Sequence, residues 1–133
     1  MAEGAMDLEV MCPRYQAAMA ILGRKWTGLI LRSLMGGPRR FTEMATYVPG
    51  LSDRLLSQRL HELEEVGIVQ RRVHPERPVQ VEYSLTTQGQ ALREVVEAIQ
   101  RWADGWGPDG MPPEVHDGGP TPRQVPVVGA EAR

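Results

Sequence analysis

One amphipathic stretch combines the side chains that recognise nucleic-acid bases. Residues 49–67 place leucines on one helical face and polar or cationic side chains on the other, the latter being Ser52, Arg54, Ser57, Gln58 and Arg59. Arginine can read guanine through two hydrogen bonds, glutamine can read adenine, and serine can bind a base or a phosphate. Free N–H groups at a helix N-terminus also attract phosphate oxygens. The stretch favours DNA recognition, although a solvated surface helix would carry the same residue types.

Cations are concentrated around this stretch. Between Arg14 and Arg59, eight arginines and lysines oppose two carboxylates, a local charge of +6, whereas the chain of 133 residues carries −2. A surface that faces phosphates requires this segregation. We therefore count Arg39, Arg40 and Thr42, in the same region, among the predicted DNA contacts.

The single cysteine, Cys12, stands immediately before Pro13, a residue that suits the first position of a helix. At such an N-cap the helix dipole favours the thiolate, and Arg14 lies close in sequence. Two interpretations stay open at this point, a reactive thiolate and a small packing residue.

Other chemistry is not indicated. One cysteine excludes an internal disulfide framework, and His61 and His74 lie too far from each other and from acidic partners to indicate a metal site. The sequence contains no convincing Ser-His-Asp order and no glycine loop of the type that cradles phosphates. It also lacks a signal pattern and any apolar run near the roughly 18 residues that span a bilayer. We predict a cytoplasmic protein that is not an enzyme and has no metal, cofactor or membrane contact.

Hydrophobic periodicity predicts four helices before residue 68. They are a helix from Pro13 that stops at Gly23, one from Trp26 to Met35, a short one from Phe41 to Val48, and one capped by Ser52 and ended by Gly67. The last of these should bury Leu56, Leu60 and Leu63, widened by Leu55 and Val66, with Leu51 packed on Leu56 as a staple. Four methionines are predicted to fill the core: Met11, Met19, Met35 and Met44.

After Gly67 the hydrophobic period changes to two. Residues 68–73 and 79–85 are predicted to pair as a hairpin whose tip carries His74 and Arg77. Thr86 or Thr87 then caps a long last helix that reaches Trp106. The three tryptophans, at positions 26, 102 and 106, could line a ligand pocket or serve core and dimer packing.

This order of elements predicts an α+β fold, mostly α, of the winged helix-turn-helix type with a β-hairpin wing. We predict a loose arm over residues 1–11, one domain over residues 12–106 and a disordered tail rich in proline and glycine over residues 107–133. In helix-turn-helix proteins the second helix of the pair places its N-terminal residues in the major groove. The polar start of residues 49–67 occupies that position.

The sequence resembles the HxlR-type subgroup of MarR-like bacterial transcriptional regulators. The resemblance covers about residues 12–106 and rests on these motifs in order: Cys12-Pro13, Leu22-Gly-Arg-Lys-Trp26, Leu29-Ile-Leu31, Gly37-Pro-Arg-Arg-Phe41, Pro49-Gly-Leu-Ser52, Leu60-His-Glu-Leu63, Gly67-Ile-Val69 and Val81-Glu-Tyr-Ser-Leu-Thr86. It implies a homodimer that binds a pseudo-palindromic operator in double-stranded DNA and represses or activates neighbouring genes.

The resemblance also implies roles for particular residues. It makes Ser52, Arg54, Ser57 and Gln58 groove contacts, and it places Lys25 on a phosphate and Arg77 in the wing. Control by oxidants or electrophiles is implied at Cys12. Asp53 departs from the neutral or polar residue expected at its position.

The first and last helices are implied to form the dimer interface. The interface residues that we predict are Tyr15, Met19, Val95, Ile99, Trp102 and Trp106. The alternative function is a winged-helix module for protein–protein interaction without DNA binding. Its docking surfaces would be the acidic end of the fourth helix and the tail, and it would be monomeric.

Overall fold

The computed structural model describes residues 6–106. Its elements follow in the order α1 (Pro13–Leu22), α2 (Thr27–Leu34), β1 (Arg39–Arg40), α3 (Phe41–Tyr47), α4 (Asp53–Glu65), β2 (Val69–His74), β3 (Gln80–Leu85), α5 (Thr87–Gln90) and α6 (Arg93–Asp104). The mostly helical fold with a small antiparallel sheet agrees with the predicted winged helix-turn-helix class. The predicted tail over residues 107–133 and the first five residues of the predicted arm lie outside the described residues.

Local signals account for the helix starts. Pro13 opens α1, as predicted, because a first-turn N–H has no intrahelical partner to lose. Ser52 caps α4, where its Oγ accepts a hydrogen bond from the N–H of Leu55 at 3.1 Å. Leu51 and Leu56 are both buried at the two positions of the predicted staple, which fixes the angle at which the chain enters α4.

The core lies between α2, α3, α4 and the sheet. Its fully buried side chains include Ile30, Leu31, Leu34, Met44, Leu56, Leu60 and Leu63. The inner face of α4 is thus largely as predicted, but Val66 is exposed. Val66 is the C-cap of α4, and its backbone is no longer helical. The helical spacing therefore does not direct its side chain inward.

Two of the four predicted core methionines were assigned wrongly. Met44 is buried and Met35 packs against the core, whereas Met11 and Met19 are exposed. Met19 belongs to α1, a helix that has no buried residue in the described chain.

Sequence reasoning missed the first strand. Arg39 and Arg40 pair antiparallel with Tyr83 and Glu82 of β3, so that the sheet has the order β1-β3-β2. A strand of two residues has no measurable period, so only pairing with β3 can reveal it.

The predicted last helix divides in two. Thr86 caps α5 by accepting from the N–H of Gly89 at 3.1 Å, and α6 starts only at Arg93. A Cβ on Gly89 would stand 2.2 Å from the carbonyl oxygen of Ile68, so α5 approaches the backbone before β2 as closely as glycine allows. After this contact α6 packs beside α2 and ends at Asp104, two residues before the predicted end.

Candidate nucleic-acid interface

The start of α4 presents the polar side chains that the sequence singled out. Ser52, Arg54, Ser57 and Gln58 are all exposed, while Leu56 between them is buried. The four side chains therefore lie along one accessible edge at the N-terminal end of a helix anchored by its leucines. This edge can offer donors and acceptors to base edges and free N–H groups to a phosphate.

Asp53, the residue that departed from expectation, is the first residue of α4. A carboxylate in the first turn interacts favourably with the positive end of the helix dipole. The position of Asp53 thus has a structural explanation within the helix itself.

Arg59 was predicted to contact DNA, and the structure places it elsewhere. Only 8% of the residue is exposed, and its Nε donates to the carbonyl oxygen of Lys25 at 2.9 Å. Its Nη1 lies 3.5 Å from Glu62, which also pairs with Arg24 Nε at 3.2 Å. Arg59 therefore fastens α4 to the loop between α1 and α2. The sequence did hold one indication that Arg59 faces inward. It follows Leu56 by three residues, a spacing that places both side chains on the same helical face.

The loop held by Arg59 presents Lys25. Lys25 is exposed, with its Nζ 5.5 Å from the centre of the Trp26 ring. Trp26 adopts the left-handed conformation, with φ of 80°, and is the N-cap of α2, so the helix begins at Thr27 rather than at Trp26 as predicted. A residue at positive φ lies outside the right-handed helical region, so Trp26 precedes α2 and is not part of it. Lys25 consequently lies in the loop before α2, fixed through its own carbonyl.

Three further predicted contacts surround α3, and they differ in accessibility. Arg40 and Thr42 are exposed, and the N–H of Arg40 donates to Glu43 Oε1 at 2.8 Å at the start of the helix. Arg39 is half-buried, because its Nε donates to the Ser33 carbonyl and its guanidinium lies 4.9 Å from the centre of the Tyr47 ring. Arg39 is thus held against Ser33 and Tyr47 and is less available to DNA than Arg40 and Thr42.

The hairpin carries an uneven distribution of charge. Arg77 is exposed at the tip, and Arg71 and Arg72 are exposed along β2. His74 is half-buried and lies 3.2 Å from Glu82 across the two strands. His74 therefore has a partner within the hairpin, and Arg77 is the better placed of the two predicted wing contacts.

Cys12 occupies the predicted N-cap of α1 and is exposed. The backbone N–H groups of Tyr15 and then Arg14 lower the pKa of the Cys12 thiol below its ordinary value. Desolvation opposes this shift, and the side chain of Arg14 adds the weakest contribution in the lowering direction. An exposed thiol with a lowered pKa has the properties of a reactive cysteine.

The predicted interface residues are exposed apolar side chains on two helices. Tyr15 and Met19 of α1 and Val95, Ile99 and Trp102 of α6 all belong to this group, and Trp102 is 64% exposed. Trp106 is half-buried and stacks edge to face on Trp102, with ring centres 4.1 Å apart. An apolar groove of about 360 Å³ runs beside them between α2 and α6.

Two kinds of site are missing from residues 6–106. This part of the chain holds no group of three or more histidine, cysteine, aspartate or glutamate side chains that could bind a metal ion. None of its helices combines the length and apolar character needed to cross a membrane.

Comparison with known proteins agrees with this geometry. The family described as HxlR-like helix-turn-helix matches residues 21–111 of the chain. A curated relative, the HTH-type transcriptional regulator YodB of Bacillus subtilis, is 48% identical over 94 residues, which cover 71% of this chain and 84% of YodB.

Solved structures show the same fold. The quinone-bound form of YodB from B. subtilis has 43% identity and a TM-score of 0.63, and the match covers 71% of this chain and 99% of that one. The redox regulator HypR in its oxidised form has 33% identity and a TM-score of 0.67, with 78% and 100% of the two chains covered.

Proposed function

We propose that the chain, which belongs to the HxlR-like helix-turn-helix family, binds an operator as a homodimer. We propose further that it responds to oxidants or electrophiles through Cys12. The protein is a DNA-binding transcriptional regulator and not an enzyme, as its family and its relatives are. The relatives leave the alternative of a protein-interaction module without support.

The observation that carries the proposal is the exposed start of α4 on a rigid support. Arg54, Ser57 and Gln58 are accessible while Leu56 and Leu60 hold the helix in the core. We assign direct base contacts to these three side chains and phosphate contacts to Ser52, Lys25, Arg40 and Thr42, with Arg77 reaching the DNA beside the wing. The glutamates that end α4 lie about two turns away from its start, so their charge does not oppose the phosphates.

Homodimerisation is supported by apolar surface that the monomer leaves in water. Val95, Ile99 and Trp102 form an exposed apolar face on α6 that is larger than an isolated surface residue, and α1 exposes Tyr15 and Met19 as well. Ile21 and Leu22 at the end of α1 pack against the core, whereas Tyr15 and Met19 are exposed and would gain a packed environment from a partner. A twofold dimer would place two copies of α4 about 34–36 Å apart, one turn of DNA, and would therefore require a pseudo-palindromic site.

Gel retardation on DNA upstream of the chain's own gene or an adjacent gene tests DNA binding and its stoichiometry. We expect nanomolar affinity, two protomers per fragment and a steep loss of affinity as salt rises. A matched fragment with one half-site scrambled serves as the control and should bind much more weakly. Retention of full affinity on that fragment, or one protomer per DNA, would contradict the dimeric proposal.

Arg54 and Lys25 should differ in what they contribute. Arg54→Gln is expected to cost about 1–3 kcal/mol on the operator and to relax preference at one base position, because it removes a bidentate base contact. Lys25→Gln should weaken operator and unrelated DNA alike and reduce the salt dependence, because it removes a phosphate contact. Binding titrations on a set of single-base operator variants separate the two patterns. Equal patterns for both variants would disprove the division between reading and positioning.

Cys12 should react as a thiolate at lower pH than an ordinary thiol. Because its pKa is lowered, the rate of alkylation by iodoacetamide should reach half of its maximum at a lower pH than for the cysteine thiol of an unstructured peptide. The thiolate fraction falls as the pH drops through this lowered pKa, so reactivity should disappear only on further acidification. Rates measured across a pH series, with Cys12→Ser as the blank, test this.

The regulatory role of Cys12 needs a separate measurement. Diamide or a quinone should change operator affinity of the wild type and leave that of Cys12→Ser unchanged, since described residues 6–106 contain no other cysteine. We choose an electrophile and an oxidant because solved structures include YodB with a bound quinone and HypR in its oxidised form. An equal response of both proteins to the reagent would remove Cys12 from regulation.

A further inference from the structure

A cleft apart from the start of α4 brings three arginines together. Its volume is about 300 Å³, and Arg32 of α2, Arg39 of β1 and Arg93 of α6 all line it. We call these three residues the arginine cluster. None of the residues that line the cleft belongs to α4 or to the hairpin.

The arginine cluster lacks carboxylate partners. Within residues 6–106 none of the three guanidinium groups forms an ion pair. Arg32 donates instead to Gln100 Oε1 at 3.1 Å and to the Tyr47 hydroxyl, and Arg93 donates to the carbonyl oxygen of Met35 at 2.8 Å. Every acceptor is neutral, so these bonds hold the arginines in place without cancelling their charge.

The remaining donors form a fixed, positively charged pocket. A guanidinium has five N–H donors, and neither Arg32 nor Arg93 uses more than two of them within the protein. Glu97 is the one carboxylate that lines the cleft, so the lining carries three positive charges and one negative charge. Met35 and Val96 add apolar surface to the same lining. Like charges that line one cleft repel one another, and a bound anion would relieve this repulsion.

We propose that this cleft binds a small organic anion, with its carboxylate or phosphate group on the arginine cluster and its apolar part against Met35 and Val96. Planar guanidinium groups match the geometry of both oxyanions and can bind them through paired hydrogen bonds. This site goes beyond the proposed function, which involves neither the cleft nor a non-covalent ligand.

The cleft adjoins the proposed dimer face without including its central residues. At about 100° per residue, Arg93, Val96 and Gln100 lie on a side of α6 that is rotated by roughly 120° from Ile99 and Trp102. Arg32, Val96 and Gln100 also line the apolar groove beside the dimer face, whereas Ile99 and Trp102 do not line the cleft.

Isothermal titration calorimetry on the full chain without DNA tests the site. Sodium benzoate and sodium phosphate are the two probes, and sodium chloride at matched ionic strength is the reference. We expect saturable heat from benzoate in the millimolar range that chloride does not reproduce. Arg93→Gln should weaken benzoate binding by about tenfold or more, because it removes a charged donor. Arg101→Gln, which removes a charge from the same helix outside the cleft, should change it by less than about twofold.

A second variant makes the result independent of any loss of folding in Arg93→Gln. Glu97→Gln removes the only carboxylate of the lining and should strengthen benzoate binding by about threefold. If the variants change phosphate affinity in the same order as benzoate affinity, the oxyanion group alone accounts for binding. A larger change in benzoate affinity would support the apolar contact.

The proposal fails if benzoate gives no heat beyond chloride, if Arg93→Gln and Arg101→Gln act equally, or if Glu97→Gln does not strengthen binding. It also fails if Arg93→Gln weakens DNA binding and leaves benzoate binding unchanged, because the cluster would then serve the DNA backbone. The benzoate and phosphate titrations contain no DNA, so their outcome does not depend on whether the protein binds an operator.

Discussion

Replacement of Ile99 by glutamate is expected to abolish dimerisation at micromolar concentration and to reduce operator affinity by about two to four orders of magnitude. Ile99 is 58% exposed at the centre of the apolar face on α6, between Val95 and Trp102. In the proposed dimer a glutamate there would be a buried charge without a partner, which is among the most costly changes at an interface. Loss of the dimer removes the gain that the second half-site contributes once the first is bound.

Sedimentation velocity and DNA titration on the same samples check this expectation. Arg101→Gln is the matched control, because it changes the net charge by the same amount on the same helix outside the apolar face. The control should remain dimeric and keep its operator affinity. A dimeric Ile99→Glu variant would show that the interface lies elsewhere, and a monomer with unchanged affinity would separate dimerisation from DNA binding.

Leu60→Ala should lower the free energy of unfolding by about 2–5 kcal/mol, which corresponds to a loss of roughly 10 °C or more in melting temperature. Leu60 is 1% exposed in the centre of the inner face of α4, between Leu56 and Leu63. The cost combines lost burial with the cavity that remains, because the neighbouring side chains are fully buried and can collapse only in part.

Val66→Ala supplies the comparison on the same helix. Val66 is 41% exposed at the C-terminal end of α4, so its truncation should cost less than about 1 kcal/mol. Denaturant titrations must use equal protein concentrations, since dimerisation would link stability to concentration. Similar losses for Leu60→Ala and Val66→Ala would contradict the assignment of the α4 inner face.

Much of the fold could be predicted from local patterns. The starts of α1 and α4 followed from Pro13 and Ser52, since a helix N-terminus depends on residues within one turn of it. The alternation that predicted the hairpin reflects the opposite faces of neighbouring strand residues, and β2 and β3 pair over its full length from Val69↔Leu85 to His74↔Gln80. The family resemblance is confirmed by the match over residues 21–111.

Elements that depend on distant partners escaped prediction. Strand β1 exists because Arg39 and Arg40 meet β3 more than forty residues later. Helix α5 lies where Gly89 approaches the carbonyl of Ile68, and the chain turns at Ala91 and Leu92 before α6 begins. Neither contact leaves a periodic signal in the sequence, because pairing and close approach are set by the packed chain.

The sequence by itself determined which side chains are available at the start of α4, since the spacing of Leu56, Leu60 and Leu63 leaves Arg54, Ser57 and Gln58 on the other face. Only the tertiary structure decided what the remaining arginines do. Arg59 turned inward to the Lys25 carbonyl, and Arg39 joined Arg32 and Arg93 in a cleft. The physical reason is that helical periodicity assigns a face within one element, whereas the partner of a long charged side chain is chosen by the packing of several elements.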